Sequence, residues 1–389
     1  MKSNGELLTR AVSKVIPKDL AEKKLVAGKP LRIYWGIDPT GSKIHLGHTV
    51  AMRKLQAFAD AGHHVILVIG SFTAMIGDPS DREAMRQPLT RKEIDENVRT
   101  YKEQASKVLD FGSIEVRYNH EWLEKLTMSD IIGIASRFTV QRMEERDMFE
   151  KRRKEGKPIG VHEFLYPLMV GYDSVVLDVD CEIGGTDQEF NMLAGRHLQQ
   201  AFGKREKFVL TTKLVEGTDG RKMSKTYDNC VYVEDAPKDM YGKLMSIKDE
   251  LITTYLECVT DIPMDEVKRV GKEMKRGQNP RDFKKFLAYE VVKIYHGESE
   301  AKAAEQEFTR VFSERGVPEE MPEVKAKKGE TIVDVLVRAH IVPSKSEARR
   351  LIEQKGIHMN DLVVESIDAK AEEGIVKVGK RKFVRIFSS

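Results

Sequence analysis

The chain has few cysteines and no long hydrophobic run, and both absences narrow the class of protein. Only three cysteines occur in 389 residues, at Cys181, Cys230 and Cys258. Their odd number and wide spacing fit neither a disulfide framework nor a zinc site, which favours a reducing compartment. The longest strongly apolar run, residues 65–69, is far shorter than the roughly 20 residues of a membrane-spanning helix. The sequence therefore predicts a cytoplasmic protein with no membrane partner and no protein-bound metal.

Two common phosphate-binding sequences are also missing, whereas two other segments suit a triphosphate. No Walker-type loop is present and no GxGxxG follows a predicted strand, which disfavours those modes of nucleotide binding. Residues 45–48 (HLGH) open a predicted helix, whose free N–H groups and partial positive charge suit phosphate. Residues 222–226 (KMSKT) lie in a glycine-bearing loop, and their lysines and hydroxyls can close over phosphates. Taken singly, the first segment is better explained by two ordinary surface histidines, and the second is also consistent with a solvated basic loop.

Charge is unevenly distributed although the net charge is only +3. Residues 325–389 hold 14 Lys and Arg against 9 Asp and Glu, and the rest of the chain holds 51 against 53. A basic C-terminal segment is consistent with a polyanionic partner, but a solvated surface produces the same pattern.

Predicted strands and helices alternate in the first half of the chain. Strands are predicted at 31–37, 65–69, 114–118 and 175–178, and helices at 45–61, 90–109, 121–171 and 188–201. This alternation is typical of parallel βαβ units in an α/β fold. Residues 241–312 show helical periodicity, and 313–328 resemble a linker. The last 60 or so residues contain helices at 331–339 and 345–355 and short strands at 357–359, 375–378 and 383–387.

Five short segments, taken in order, resemble the motifs of class I aminoacyl-tRNA synthetases, and of the bacterial tyrosyl-tRNA synthetases in particular. They are residues 34–40 (YWGIDPT), 45–48 (HLGH), 77–80 (GDPS), 184–188 (GGTDQ) and 222–226 (KMSKT). The resemblance covers nearly the whole chain and implies a tyrosine–tRNA ligase. Its substrates would be L-tyrosine, ATP with Mg²⁺, and tRNA(Tyr).

The resemblance also implies a domain order and an assembly. A Rossmann-like catalytic domain would occupy 1–228, with a helical insert at about 112–165 that forms a homodimer interface. An α-helical anticodon-side domain with a linker would occupy 229–324. A small α+β RNA-binding domain, similar to one in a small-subunit ribosomal protein, would occupy 325–389.

Individual site residues follow from the same resemblance. Tyr34 and Asp173 would bind the phenolic hydroxyl of tyrosine, and Asp78 and Tyr166 would bind its ammonium group. Asn119 would belong to the supporting polar network. Asp38 and Gln188 would line the pocket near the reacting carboxylate. At the phosphates, the residues would be Thr40, His45, His48, Arg82, Arg86, Lys222, Lys225 and Thr226, with Lys225 also binding ATP. Around the nucleoside they would be Gly36, Gly47, Gly185 and Asp187.

The chain departs from the family at Val170, where a glutamine usually contacts the amino group of tyrosine. Valine cannot make that hydrogen bond. Three interpretations are open: Asp78 and Tyr166 suffice, tyrosine binds more weakly, or the pocket accepts a modified amino acid. Two alternative functions are also open, a catalytically impaired paralogue that binds RNA and an adenylyltransferase that does not use tRNA.

In the C-terminal segment, Ser344 and Glu347 form a predicted capping box, and Gly356 is the predicted end of the same helix. Its basic residues are the candidates for phosphate contacts with RNA. They are Lys345, Arg349 and Arg350.

Overall fold

The computed structural model describes residues 4–39, 41, 43–78, 90–224, 227–312, 321–327, 329–360, 362–379 and 382–387. The chain forms two compact units, Met1–Lys302 and Ala303–Ser389.

The first unit is built on a six-stranded sheet with the strand order β1-β6-β5-β2-β3-β4. Strands β2 to β6 run parallel to one another, and β1 is added antiparallel to β6 at one edge of the sheet. The strands are β1 Val12–Ile16, β2 Arg32–Ile37, β3 His64–Ile69, β4 Ile114–Tyr118, β5 Cys181–Gly185 and β6 Phe208–Thr212. The predicted α/β class with a parallel sheet is confirmed.

Helices connect and follow these strands. They are α1 Asn4–Leu7, α2 Lys18–Val26, α3 Leu46–Asp60, α4 Thr73–Ile76, α5 Arg91–Ala105, α6 His120–Leu123, α7 Met128–Ala135, α8 Val140–Glu144, α9 Asp147–Lys154, α10 Val161–Leu177, α11 Glu189–Ala201, α12 Pro237–Met245, α13 Ile252–Val259, α14 Met264–Lys275, α15 Pro280–His296 and α16 Glu298–Phe312. Helix α5 begins at the predicted capping box, in which the Thr90 hydroxyl accepts from the Glu93 amide. Within the sheet, β3 is buried along Val65–Ile69, as expected for a strand covered on both faces.

The strand predicted at 175–178 is wrong, because residues 175–177 are the last turn of α10 and Asp178 is its C-cap. Consecutive valines favour a strand, and the alternation of buried Val175 and Leu177 with Val176, which is 40 % exposed, also matches the period of a strand. The segment packs as part of a helix against α11, and packing overrides the local preference. The true strand, β5, begins at Cys181 and was not predicted.

The second unit contains a five-stranded sheet with the order β7-β11-β10-β8-β9. Its elements are β7 Glu323–Lys325, α17 Ile332–Arg338, α18 Lys345–Glu353, β8 Ile357–Met359, β9 Leu362–Val363, β10 Gly374–Val378 and β11 Lys382–Phe387. Strand β7 lies inside the segment that was predicted to be a linker. The Ser344 hydroxyl accepts from the Glu347 amide, as expected. The left-handed residue after α18 is Lys355, with φ 53°, and not the predicted Gly356.

Candidate functional site

The first cluster of polar side chains lies where β2 and β3 end side by side. Ile37 pairs with Ile69 in the parallel register, so Asp38 and Gly70 emerge at the same edge of the sheet. The Asp38 carboxylate accepts hydrogen bonds from the Thr73 hydroxyl at 2.7 Å and the Tyr166 hydroxyl at 2.9 Å. A Cβ on Gly70 would lie 1.8 Å from Asp38 Oδ1. Gly70, which the motifs did not identify, therefore leaves the space that this carboxylate occupies.

Helix α10 presents three of the predicted tyrosine contacts at helical spacing. Tyr166, Val170 and Asp173 lie four and three residues apart, which places them on one face. Tyr166 and Asp173 are buried, and Val170 is half-buried. Burial, followed by the nearby Asp38 and Asp78 carboxylates, raises the pKa of Tyr166 well above its usual value. Its hydroxyl therefore stays protonated and donates to Asp38, which leaves its oxygen able to accept from a cation.

Asp173 is held from two sides inside the protein. Its Oδ1 accepts from the Trp122 indole N–H at 2.8 Å, and its Oδ2 accepts from the Asn119 amide at 3.2 Å. The side-chain oxygen of Asn119, Oδ1, in turn accepts from the Phe72 backbone N–H at 2.8 Å. Burial raises the pKa of the Asp173 carboxyl well above its ordinary value. Asn119 and Asp173 thus lie in one polar network, and Trp122 is a member that sequence reasoning missed.

A second network lies beneath Tyr34, and sequence reasoning missed it too. The Tyr34 hydroxyl is 3.0 Å from the Ser174 hydroxyl, which accepts from the Lys207 ammonium at 2.7 Å. Lys207 also pairs with Glu182, and all four side chains are buried. Burial, then the charges of Glu182 and Asp173, raises the pKa of Tyr34. The network fixes the position of the Tyr34 hydroxyl through Ser174 of α10, Glu182 of β5 and Lys207, which directly precedes β6.

Asp78 lies between a neutral and a cationic partner. Gln188 Nε2 donates to its Oδ2 at 2.7 Å, and Arg146 Nη2 lies 3.6 Å from its Oδ1. Arg146 comes from the predicted insert and is only 4 % exposed. The sequence motifs contain no sign of it.

The two histidines of the HLGH segment stack on each other at the start of α3. Their ring centroids are 3.7 Å apart, and the His45 backbone N–H donates to His48 Nδ1 at 3.3 Å. Burial and the neighbouring His48 lower the pKa of His45 to about 2, and burial and Lys222 lower that of His48 to about 4. Both rings are therefore neutral near pH 7 and carry one N–H donor each. A Cβ on Gly47 would lie 3.0 Å from the His45 ring, so glycine there permits this stacking.

The lysine loop, residues 217–224, is anchored by a buried side chain that follows it. Asn229 Nδ2 donates to Asp219 Oδ1 at 2.7 Å and to the Lys222 carbonyl at 3.1 Å, and Asn229 Oδ1 accepts from the Ser224 amide at 2.9 Å. Lys222 Nζ donates to Asp187 at 2.9 Å. The predicted phosphate ligand and the predicted ribose ligand therefore pair with each other here.

The nucleoside glycines occupy different environments. A Cβ on Gly185 would lie 2.4 Å from Asp187 Oδ1. Gly36 is exposed, and among the described residues the nearest atom to its Cβ position belongs to Tyr34, at 4.0 Å. Gly36 therefore leaves open space at the surface of β2. The remaining candidates lie outside the described residues: Thr40, Arg82, Arg86, Lys225 and Thr226.

In the second unit, the three basic candidates on α18 are exposed. Lys345 pairs with Asp334 at 2.6 Å, and Arg350 pairs with Glu347 at 2.7 Å. Exposed ion pairs contribute about 0–1 kcal/mol, so a phosphate can replace either carboxylate at low cost.

The described residues lack two further features. None of the helices described is long and apolar enough to cross a membrane. Within the same residues, no group of three or more His, Cys, Asp or Glu side chains is arranged to hold a metal ion.

Family models match almost the whole chain. Residues 27–313 match the model for class I tRNA synthetases (W and Y), and residues 313–386 match the SYY-like C-terminal domain of tyrosine–tRNA ligase. The tyrosine–tRNA ligase of Thermotoga maritima is 47 % identical in an alignment over 386 residues that covers 98 % of this chain and 96 % of the relative. That of Carboxydothermus hydrogenoformans is 45 % identical, over 99 % and 98 % of the two chains.

Solved structures share the fold at lower identity. A C-terminally truncated mitochondrial tyrosyl-tRNA synthetase from Aspergillus nidulans is 22 % identical, with a TM-score of 0.67 over 80 % of this chain and 95 % of its own. The Archaeoglobus fulgidus tyrosyl-tRNA synthetase complexed with L-tyrosine is 23 % identical, with a TM-score of 0.64 over 77 % and 98 %.

Proposed function

The chain belongs to the class I tyrosyl-tRNA synthetases, tyrosine–tRNA ligases that consume ATP, and we propose which of its residues carry each step of that reaction. The full-length relatives confirm the predicted enzyme class. They offer no support for an RNA-binding paralogue without activity or for an adenylyltransferase that does not use tRNA. The identity of 47 % over 98 % of the chain is the observation that carries this function.

In the first step, the carboxylate of tyrosine attacks the α-phosphate of ATP, giving tyrosyl-adenylate and pyrophosphate. We assign Tyr34 and Asp173 to the phenolic hydroxyl, since both are buried and already held by hydrogen bonds. A phenylalanine side chain would leave these polar groups unpaired, and such a loss is the basis of discrimination. Tyrosyl-tRNA synthetases are the known example of this kind of discrimination.

In this proposal, the ammonium and carboxylate groups of the substrate tyrosine lie at the ends of β2 and β3. Asp78 and Tyr166 receive the ammonium, while Asp38 and Gln188 lie near the carboxylate. The Tyr166 hydroxyl supports this assignment because its proton is donated to Asp38, which leaves its oxygen to accept from the ammonium. Of the three interpretations of Val170, the one in which Asp78 and Tyr166 suffice fits this arrangement.

ATP enters as its magnesium complex, and its phosphates face the HLGH corner and the lysine loop. Neutral His45 and His48 donate N–H groups as negative charge develops on the phosphates, and Lys222 leaves Asp187 to reach the pyrophosphate. The rate enhancement comes from positioning and charge stabilisation without a covalent enzyme intermediate. Thr40, Arg82, Arg86, Lys225 and Thr226 keep the roles that the family resemblance implies for them.

In the second step, a terminal ribose hydroxyl of tRNA(Tyr) attacks the activated carbonyl and releases AMP. The proposed RNA contacts of the second unit are Lys345, Arg349 and Arg350. Replacing all three with glutamine is expected to weaken tRNA binding and to flatten its salt dependence, since each lost phosphate contact reduces the slope by roughly 0.7–0.9. Pyrophosphate exchange, which does not require tRNA, should remain unchanged in this variant.

We also propose a cytoplasmic homodimer, formed through the insert at about 112–165. The insert exposes several large apolar side chains, as expected of an interface that is open in a single chain. They are Met128, Ile132, Val140 and Val161, at 71, 61, 65 and 83 % exposure. Ile132→Glu should shift the mass measured by light scattering from dimer to monomer. Val26→Glu, at an exposed apolar position outside the insert, is the matched control, and a monomeric native protein would refute the proposal.

The decisive assay is exchange of labelled pyrophosphate into ATP with each of the twenty amino acids. Exchange with tyrosine alone is expected, and a folded protein that exchanges with none would overturn the function.

In the same assay, Lys222→Ala should lower the rate while the KM for tyrosine changes little. Lys268→Ala, at an exposed lysine of α14, is the matched control.

A further inference from the structure

Arg146 brings a buried positive charge from the predicted insert to the tyrosine pocket. It lies directly before α9, is 4 % exposed, and places Nη2 3.6 Å from Asp78 Oδ1. Its guanidinium is 5.4 Å from the ring centroids of both Phe149 and Phe190. Burial lowers the pKa of Arg146, whereas Asp78, Tyr166 and Glu163 favour its charged form. A buried charge of this kind requires counter-charges.

The position of Arg146 creates an electrostatic conflict with the proposed function. Asp78 is the proposed ligand of the ammonium of tyrosine, yet a cation already lies beside it. An incoming ammonium would meet a like charge, and Arg146 would lose part of the carboxylate that neutralises it. Leaving a buried charge without its partner is strongly unfavourable. A second anion that arrives together with the ammonium would relieve this conflict.

Tyrosine carries that anion itself, because its carboxylate and its ammonium are attached to the same carbon. The zwitterion can enter between Asp78 and Arg146, so that one ion pair becomes two and the net charge of the pocket stays the same. A guanidinium fork suits a carboxylate because it can donate two parallel hydrogen bonds.

We propose that Arg146 binds the α-carboxylate of tyrosine, and that the zwitterion separates Arg146 from Asp78 when it binds. This inference rests on the proposed function of the same site. Arg146 orients the carboxylate for attack on the α-phosphate and selects ligands that carry both charges.

The proposal is tested by calorimetric titration of the full-length protein with three ligands that differ only in backbone charge. Tyrosine carries both charges, tyramine only the ammonium, and 3-(4-hydroxyphenyl)propionate only the carboxylate. In Arg146→Met, affinity for tyrosine and for the propionate should fall about 30-fold, or about 2 kcal/mol at 1.4 kcal/mol per tenfold. Affinity for tyramine should stay the same or rise, because the competing cation is gone.

Arg153→Met is the matched control, since Arg153 lies on α9 but is 61 % exposed and pairs with Glu144. It should bind all three ligands as the native protein does. An equal loss for all three ligands in Arg146→Met would show a purely structural role and overturn the proposal, as would no loss at all. If the methionine variant does not fold, Arg146→Lys provides the test, because an ammonium lacks the fork. Its preference for tyrosine over tyramine should fall, and an unchanged preference would overturn the proposal.

Failure of this inference can be separated from failure of the function. A native protein that neither binds tyrosine nor supports pyrophosphate exchange would refute the proposed function. A native protein that does both, with ligand selectivity independent of residue 146, would refute only the role of Arg146.

Discussion

Replacing Gly70 with alanine is expected to damage the proposed tyrosine pocket, because it displaces one carboxylate. The new Cβ would lie 1.8 Å from Asp38 Oδ1 and 2.5 Å from the Thr73 hydroxyl, whereas real Cβ atoms keep at least 3.0 Å. The Asp38 carboxylate must therefore move by at least about 1.2 Å, the difference between the 3.0 Å minimum and the 1.8 Å separation. Because Gly70 is not in the left-handed region, the backbone itself tolerates alanine.

The size of the effect follows from the hydrogen bonds that Asp38 would lose. It accepts from Thr73 at 2.7 Å and from Tyr166 at 2.9 Å, and a shift of this size stretches both beyond the usual range. Hydrogen bonds to charged groups contribute roughly 1.5–3 kcal/mol each. Since water can replace part of this, we expect a loss of about 3 kcal/mol in transition-state stabilisation, or roughly 100-fold in kcat/KM for tyrosine.

Pyrophosphate exchange at varied tyrosine concentration measures this loss, and thermal unfolding monitors the fold. Gly242→Ala is the matched control: it lies within α12, and among the described residues no atom is within 4 Å of its Cβ position. That variant should keep full activity and gain up to about 1 kcal/mol of helix stability. If Gly70→Ala retained the native kcat/KM, the described contact between Gly70 and Asp38 would be refuted as a determinant of the site.

Three further perturbations test other parts of the site. Ser174→Ala removes the hydroxyl beneath Tyr34, and the preference for tyrosine over phenylalanine in competitive exchange should fall about tenfold; an equal loss for both amino acids would contradict a role at the phenol. The folded pKa values of His45 and His48 lie below the unfolded value of 6.5, so the unfolded chain binds more protons as pH falls. The free energy of unfolding, measured with urea, should therefore decline from pH 6.5 towards pH 4. His48→Gln should reduce that decline, and an unchanged pH slope would show that His48 is charged in the folded protein. Asn229→Ala should loosen the lysine loop and slow adenylate formation without raising the KM for tyrosine; a raised KM with a normal rate would place its effect elsewhere.

Local signals in the sequence predicted some elements closely. The capping box at Thr90 and the buried strand at β3 depend on residues within a few positions of each other, so pattern and chemistry are both visible in the chain. Strand β5 was missed because its Glu182 and paired glycines do not resemble a buried strand. The glutamate is accommodated only because Lys207, 25 residues away, pairs with it inside the protein.

The order of the motifs identified the family and the reaction, because class I chemistry at a triphosphate needs particular residue types in particular segments. Those residue types can be recognised within each short segment by itself. The partners of each side chain were decided only by the tertiary structure. Tyr166 reaches Asp38 across 128 positions, and the insert brings Arg146 to Asp78. Such contacts depend on how parallel strands and helices converge at one edge of a sheet, and no local pattern in the chain encodes which distant side chain will arrive there.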